Sequence, residues 1–139
     1  MRTELVKHLI KQAICQLQYS YAPYSGFKVG AALLAKNGII YSGCNIENAS
    51  YTPTNCAERT AFFKAVSEGV KEFEAICIVG GKEGCLSGYA APCGVCRQVM
   101  MEFCDPKTFK IILATSEEQY EIFNLEELLP LGFGPHNLA

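Results

Sequence analysis

Cys56-Ala57-Glu58-Arg59-Thr60-Ala61 and Pro92-Cys93-Gly94-Val95-Cys96-Arg97-Gln98 are the two stretches on which the reading of this chain turns. Each reads as a thiol motif that opens a helix. Together they offer three sulfur ligands, Cys56, Cys93 and Cys96, and one carboxylate, Glu58, that is not needed as a ligand. Three protein ligands leave a tetrahedral zinc ion with an open fourth position, which is what separates a catalytic site from a structural one. Water at an open position is acidified to a pKa of roughly 7, which yields hydroxide at neutral pH. Glu58 stands two residues from a thiol, close enough to handle the proton. Glutamate alone means little here, because 13 of the 14 acidic residues are Glu; its place beside the thiols is what singles it out.

Cys93 and Cys96 are separated by two residues, so both sulfurs can turn to one ion at a helix start, where the dipole favours thiolates. A lone C-x-x-C also fits redox chemistry or a closed zinc site. The redox motif needs no third thiol, and a closed site needs a fourth ligand. Cys15, Cys44, Cys77, Cys85 and Cys104 repeat no ligand spacing and read as structural. His8 and His136, on the first helix and in the tail, read as solvent-exposed. Three thiolates around a divalent ion leave one net negative charge. Arg59, next to Glu58, is placed to offset it by donating to ligand sulfur; otherwise it is an ordinary surface residue of the helix.

Outward from the two motifs, the chain reads as helices packed on strands. Leu5, Val6, Leu9, Ile10, Ala13, Ile14 and Leu17 give a helical period over Thr3–Tyr19, with Thr3 as cap. Phe27–Ala35 and Ile39–Cys44 form a hairpin about Lys36-Asn37-Gly38. The period predicts a helix over Cys56–Glu68, stopped at Gly69, and a buried strand over Phe73–Val79. A loop over Gly80–Ala91, a helix over Gly94–Cys104, and strands over Phe109–Ala114 and Tyr120–Phe123 follow. Leu125–Leu129 reads as a short helix before the tail. This order implies an α/β fold with a mixed sheet between helices and both thiol motifs near one sheet edge.

Bulk properties narrow the partners. At 139 residues, residues 1–139 are expected to form one domain. Half of the chain is apolar, 19% is charged and the net charge is −2. The 12 Lys and Arg are scattered, so polymeric nucleic acid is not an expected partner. The first residues, Met1 to Lys7, interleave charge with apolar side chains and do not read as a signal peptide. No stretch approaches the ~18 apolar residues of a membrane span. Eight cysteines without a secretory context read as reduced thiols, hence a cytoplasmic protein; a disulfide framework suits shorter, loop-rich chains.

With both motifs in view, the chain resembles the small zinc-dependent cytidine deaminases. The likeness also takes in Tyr21-Ala22-Pro23-Tyr24-Ser25-Gly26-Phe27, Val29-Gly30-Ala31-Ala32-Leu33, Gly43-Cys44-Asn45-Ile46-Glu47-Asn48-Ala49 and Glu126-Glu127-Leu128-Leu129-Pro130. It thus covers nearly the whole chain. The resemblance implies a three-layer α-β-α sandwich with a mixed five-stranded sheet, one zinc per subunit, and a homotetramer with shared active sites. It implies hydrolysis of cytidine and deoxycytidine to uridine and deoxyuridine, as in pyrimidine salvage. Water activated at the zinc attacks C4 of cytosine while Glu58 shuttles protons. By position, Asn45 and Glu47 match residues that hold the ribose 3′-hydroxyl, Phe27 packs against the nucleoside, and the Ala57 backbone contacts the pyrimidine edge. Phe133 matches an aromatic that covers the base in a neighbouring subunit. By residue type alone, Asn45 and Glu47 are equally solvated loop positions, and Phe27 is equally a core residue.

Two other functions fit the same residues. One is deamination of another cytosine nucleoside such as blasticidin S; the other is a zinc-structured binding module without catalysis. Deaminases of nucleotides, guanine or tRNA adenosine commonly have His in place of Cys56, and RNA readers need a basic surface. Glu58 argues against a purely structural site, which has no use for it.

Overall fold

Nearly every strand residue of the chain centre is apolar, and such strands need cover on both faces. The computed structural model, which describes residues 1–139, provides it. Five strands run β1 (Phe27–Ala35), β2 (Ile40–Cys44), β3 (Phe73–Lys82), β4 (Lys110–Ala114) and β5 (Tyr120–Asn124). Their order across the sheet is β2-β1-β3-β4-β5. Only β3 and β4 pair in parallel; the other neighbours are antiparallel. The helices are α1 (Thr3–Cys15), α2 (Ala57–Ser67), α3 (Gly94–Phe103) and α4 (Leu125–Leu128).

Alternation along the strands divides the core in two. Ala32, Leu34, Ala75, Cys77, Val79 and Ile112 face α1, which contributes Val6, Leu9, Ile10 and Ala13. Ala31, Leu33, Ile76, Ile78, Ile111 and Leu113 face α2 and α3. The result is the expected three-layer α-β-α sandwich with a mixed five-stranded sheet. Phe62 centres the second layer: its ring lies 4.9 Å from Phe73 and 6.1 Å from Phe109. Burying such a ring against aromatic neighbours contributes on the order of 3–5 kcal/mol, as judged from Phe→Ala losses in other cores.

Two glycines allow the layers to approach the sheet. A Cβ on Gly30 would lie 2.1 Å from the Ala13 carbonyl oxygen, and one on Gly43 would lie 2.5 Å from that of Ala57. The second contact matters for the site, because it seats the first turn of α2 directly on β2.

The ends of several elements differ from the sequence reading. Regular α-helix stops at Cys15, and Gln16–Tyr19 tightens into a 3-10 turn. Arg2 rather than Thr3 occupies the N-cap of α1, with no side-chain cap bond. β3 continues through Gly80, Gly81 and Lys82, positions expected in a loop, because they pair with Val29, Lys28 and Phe27. That partner is distant in sequence, so local turn propensity misled. At the end of α2 the expected stop holds: Gly69 takes φ +88. The Gly69 and Val70 amides then cap the Val66 and Ala65 carbonyls.

Candidate metal and substrate site

The α2 and α3 N-termini meet at the thiols. Cys56 and Cys93 are their N-cap residues, both in extended conformation, and Cys96 lies in the first turn of α3. Carbonyl oxygens of the two caps already accept helical bonds from Thr60 and Arg97, each at 3.0 Å. The Thr60 hydroxyl ties the start of α2 further, donating to the Cys56 carbonyl and accepting from Asn55 Nδ2. Both cap residues are thus held by the backbone of the helices they open.

The three sulfurs lie within 4.8 Å of one another. Cys56 Sγ is 3.7 Å from Cys93 Sγ, which is 3.5 Å from Cys96 Sγ. A Zn–S bond of about 2.3 Å puts neighbouring sulfurs of a tetrahedron about 3.8 Å apart. These two separations are close to that spacing, and an all-thiolate donor set suits zinc. No further His, Cys, Asp or Glu joins the cluster. The donor set fits zinc held by three residues, with the fourth direction not taken by a side chain.

Electrostatics at this corner are strongly polarised. Arg59 Nη2 donates to Cys56 Sγ at 3.2 Å. A hydrogen bond from Cys96, reinforced by Arg59 and opposed by burial, holds the Cys56 thiol down at about 5. Cys96 moves the opposite way because it keeps the proton it shares with Cys56, and burial adds to this. A divalent cation bound here would take that proton's place. Glu58 is only 4% exposed, on the first turn of α2. Burial, with a smaller push from the Cys56 thiolate, raises its carboxyl to about 7. A carboxyl poised there can both accept and return a proton near neutrality.

Asn45 and Glu47, on the loop that leads into Cys56, form a second group with Phe27 at the start of β1. Asn45 Nδ2 donates to the Phe27 carbonyl at 2.7 Å, and its Oδ1 accepts from the Val29 amide at 3.0 Å and from the Ser20 hydroxyl. Glu47 Oε1 accepts from the Tyr24 and Ser25 amides at 2.9 and 3.1 Å, and Oε2 accepts from the Ser25 hydroxyl. The Ser25 hydroxyl above all holds the Glu47 carboxyl below its ordinary value. Both side chains therefore shape the segment ahead of β1, a role not visible in the residue types. Beside them lies a cavity of about 390 Å³ lined by Tyr24, Ser25, Glu47, Asn48, Tyr51 and Thr54.

Phe27 is 42% exposed rather than core. Phe133 lies apart, 57% exposed on the tail, with its carbonyl accepting from Gln98 on α3. Gln98, Tyr24 and Tyr51 were not singled out by sequence; pairing between segments 35 residues apart leaves no local pattern. Another depression, of about 490 Å³ between the C-terminal end of α3 and the tail, is lined by none of the three clustered thiols. Cys15 and Cys85 are exposed, and Cys44, Cys77 and Cys104 are buried. The two histidines are exposed, as expected.

Three convergent thiols and a buried glutamate outside the thiol cluster, at paired helix starts of a three-layer α/β fold, are the parts that a zinc-dependent hydrolase needs. The comparisons make the class specific. Residues 3–112 match the family described as the cytidine and deoxycytidylate deaminase zinc-binding region. A cytidine deaminase of Sporosarcina psychrophila is 48% identical over 134 residues, which span 96% of this chain and 95% of that one. The crystal structure of a cytidine deaminase from Burkholderia pseudomallei is 45% identical with a TM-score of 0.82, covering 91% of this chain and 97% of the other. That of Mycobacterium tuberculosis is 35% identical with a TM-score of 0.77, covering 91% and 95%. The chain belongs to the cytidine and deoxycytidylate deaminase family.

Proposed function

We propose that this protein hydrolyses cytidine and deoxycytidine to uridine and deoxyuridine, releasing ammonia. The observation that carries the reading is the buried Glu58 beside three sulfurs spaced for one zinc ion. Cys56, Cys93 and Cys96 would hold the zinc, which when bound would supply Lewis acidity that brings the pKa of water to about 7. Glu58 takes one proton from the attacking water and gives it to the ring N3, then takes the second from the hydroxyl formed at C4 and gives it to the amine, which leaves as ammonia when the C4–N bond breaks. Substrate plus water thus gives product plus ammonia with no net proton. Arg59 donates to ligand sulfur and offsets the negative charge of the three thiolates. The Ala57 backbone contacts the pyrimidine edge, Asn45 and Glu47 hold the ribose 3′-hydroxyl, and Phe27 packs against the nucleoside.

Phe133 covers the base in a neighbouring subunit, which requires an assembly; the reading is a homotetramer with shared sites. Support comes from the exposure of Phe27, Tyr24, Tyr51 and Phe133, whose apolar area a partner would cover. Residues 1–139 act as one catalytic domain in a reducing compartment, the cytoplasm, consistent with eight free cysteines. No helix is long and apolar enough to cross a membrane.

Ammonia release from cytidine, deoxycytidine, cytidine monophosphate, adenosine and blasticidin S, measured in parallel, tests the assignment. Turnover of the first two and not the others is expected. Faster turnover of blasticidin S, or none of any substrate by zinc-loaded protein, would overturn it.

A further inference from the structure

Helix α3 presents one thiol at its N-cap and one in its first turn, and grips the C-terminal segment with the residues that follow. Gln98 Nε2 donates to the Phe133 carbonyl at 2.8 Å. The Arg97 guanidinium donates to the Leu128 carbonyl at the end of α4. The two acceptors bracket the stretch from Leu129 to Gly132. Inside it Leu131 takes φ +54, a conformation unusual for a branched side chain, and stands fully exposed. Beyond it the tail lies against α3 again: a Cβ on Gly134 would be 3.1 Å from the Met101 side chain. The Gly134 amide is held in turn by Asn137 Oδ1 at 2.9 Å.

We propose that Gln98 and Arg97 are positioning residues that fix the tail backbone on α3 and thereby aim the Phe133 ring at a nucleoside bound by a second copy of the chain. This rests on the role given to Phe133 above. The ring needs such help because its backbone sits between Gly132 and Gly134, and an unanchored glycine-flanked segment samples many conformations. The side chains of Leu131 and Phe133 are exposed, so both are displayed rather than packed. The same helix that brings Cys93 and Cys96 to the metal thus sets the distance between the metal corner of one subunit and the aromatic cover it lends to another.

The discriminating variant is Gln98→Glu, which keeps the shape of the side chain and removes both N–H donors. Gln98→Ala and Phe133→Ala complete the set, all assayed as zinc-loaded assemblies. Loss of one hydrogen bond of ordinary net strength changes an equilibrium about three- to tenfold. Amide hydrogen exchange across residues 129–138 is expected to quicken by that factor in both Gln98 variants, with the rest of the chain unchanged. The KM for cytidine is expected to rise by a similar factor while kcat and zinc content stay near wild type. Gln98→Ala added to Phe133→Ala is expected to raise KM no further. Unchanged tail exchange in Gln98→Glu would overturn the proposal, and so would full rescue of KM by Glu at this position. Faster tail exchange with KM unchanged in all three variants would keep the anchor and remove Phe133 from the substrate site.

Discussion

The sulfur corner and the aromatic rim of this molecule differ in how much of each one chain supplies. At the corner, Cys56, Cys93, Cys96, Glu58 and Arg59 come from two helix starts that the same core holds in place. Its carboxylate is buried and its arginine already donates to sulfur. At the rim, Tyr24 and Tyr51 line an open cavity and Phe27 and Phe133 stand exposed outside its lining, although the backbone beneath them is firmly tied. The thiols that would hold a metal are therefore brought together by the folded chain alone, whereas on the proposed reading substrate enclosure needs a second copy. The chemistry can be lost without touching the rim, and affinity can be lost without touching the chemistry.

The largest effect expected is at the corner. Cys96→Ala removes a buried ligand, and zinc content measured by atomic emission should fall towards zero together with all turnover. Glu58→Gln should keep one zinc per chain and lose roughly 10²–10⁴-fold in kcat, the usual worth of a positioned acid–base group. Retention of wild-type kcat would break the assignment of Glu58. Arg59→Gln should weaken zinc affinity or rate by about 10–100-fold, as loss of an outer partner of a metal ligand commonly does; metal-buffer competition measures it. The rim predicts smaller and different losses. Phe133→Ala should raise KM for cytidine about tenfold, in line with the loss of a stacked ring of roughly 1–3 kcal/mol. Zinc content and the kcat at saturation should hold. Sedimentation should show a tetramer, with dilution to monomer lowering apparent affinity while zinc stays bound.

The corner was legible in the sequence because its chemistry is carried by local spacing. Cys93 and Cys96 are one helical turn apart, and Glu58 and Arg59 stand two and three residues after Cys56. The period of α2, its glycine stop and the apolar runs of β3 and β4 are likewise local. What could not be read arises from contacts across long stretches of chain. Extension of β3 through Gly80 and Gly81 is decided by pairing with residues 27–29. The bonds of Asn45 and Glu47 to the segment around Phe27, and of Gln98 to Phe133, join positions 18 to 35 residues apart. Thr3 failed as a cap for a smaller reason: the helix begins one residue earlier than its hydroxyl suggested, and Arg2 has no side chain suited to the role.

Metal analysis joined to thiol titration reaches the core of this account most directly. Freshly purified, reduced protein should contain one zinc per chain, released as a mercurial reagent titrates Cys56, Cys93 and Cys96 and retained in Glu58→Gln. Protein that carries no zinc, or in which a fourth side chain proves necessary to hold it, would contradict the open three-thiolate site.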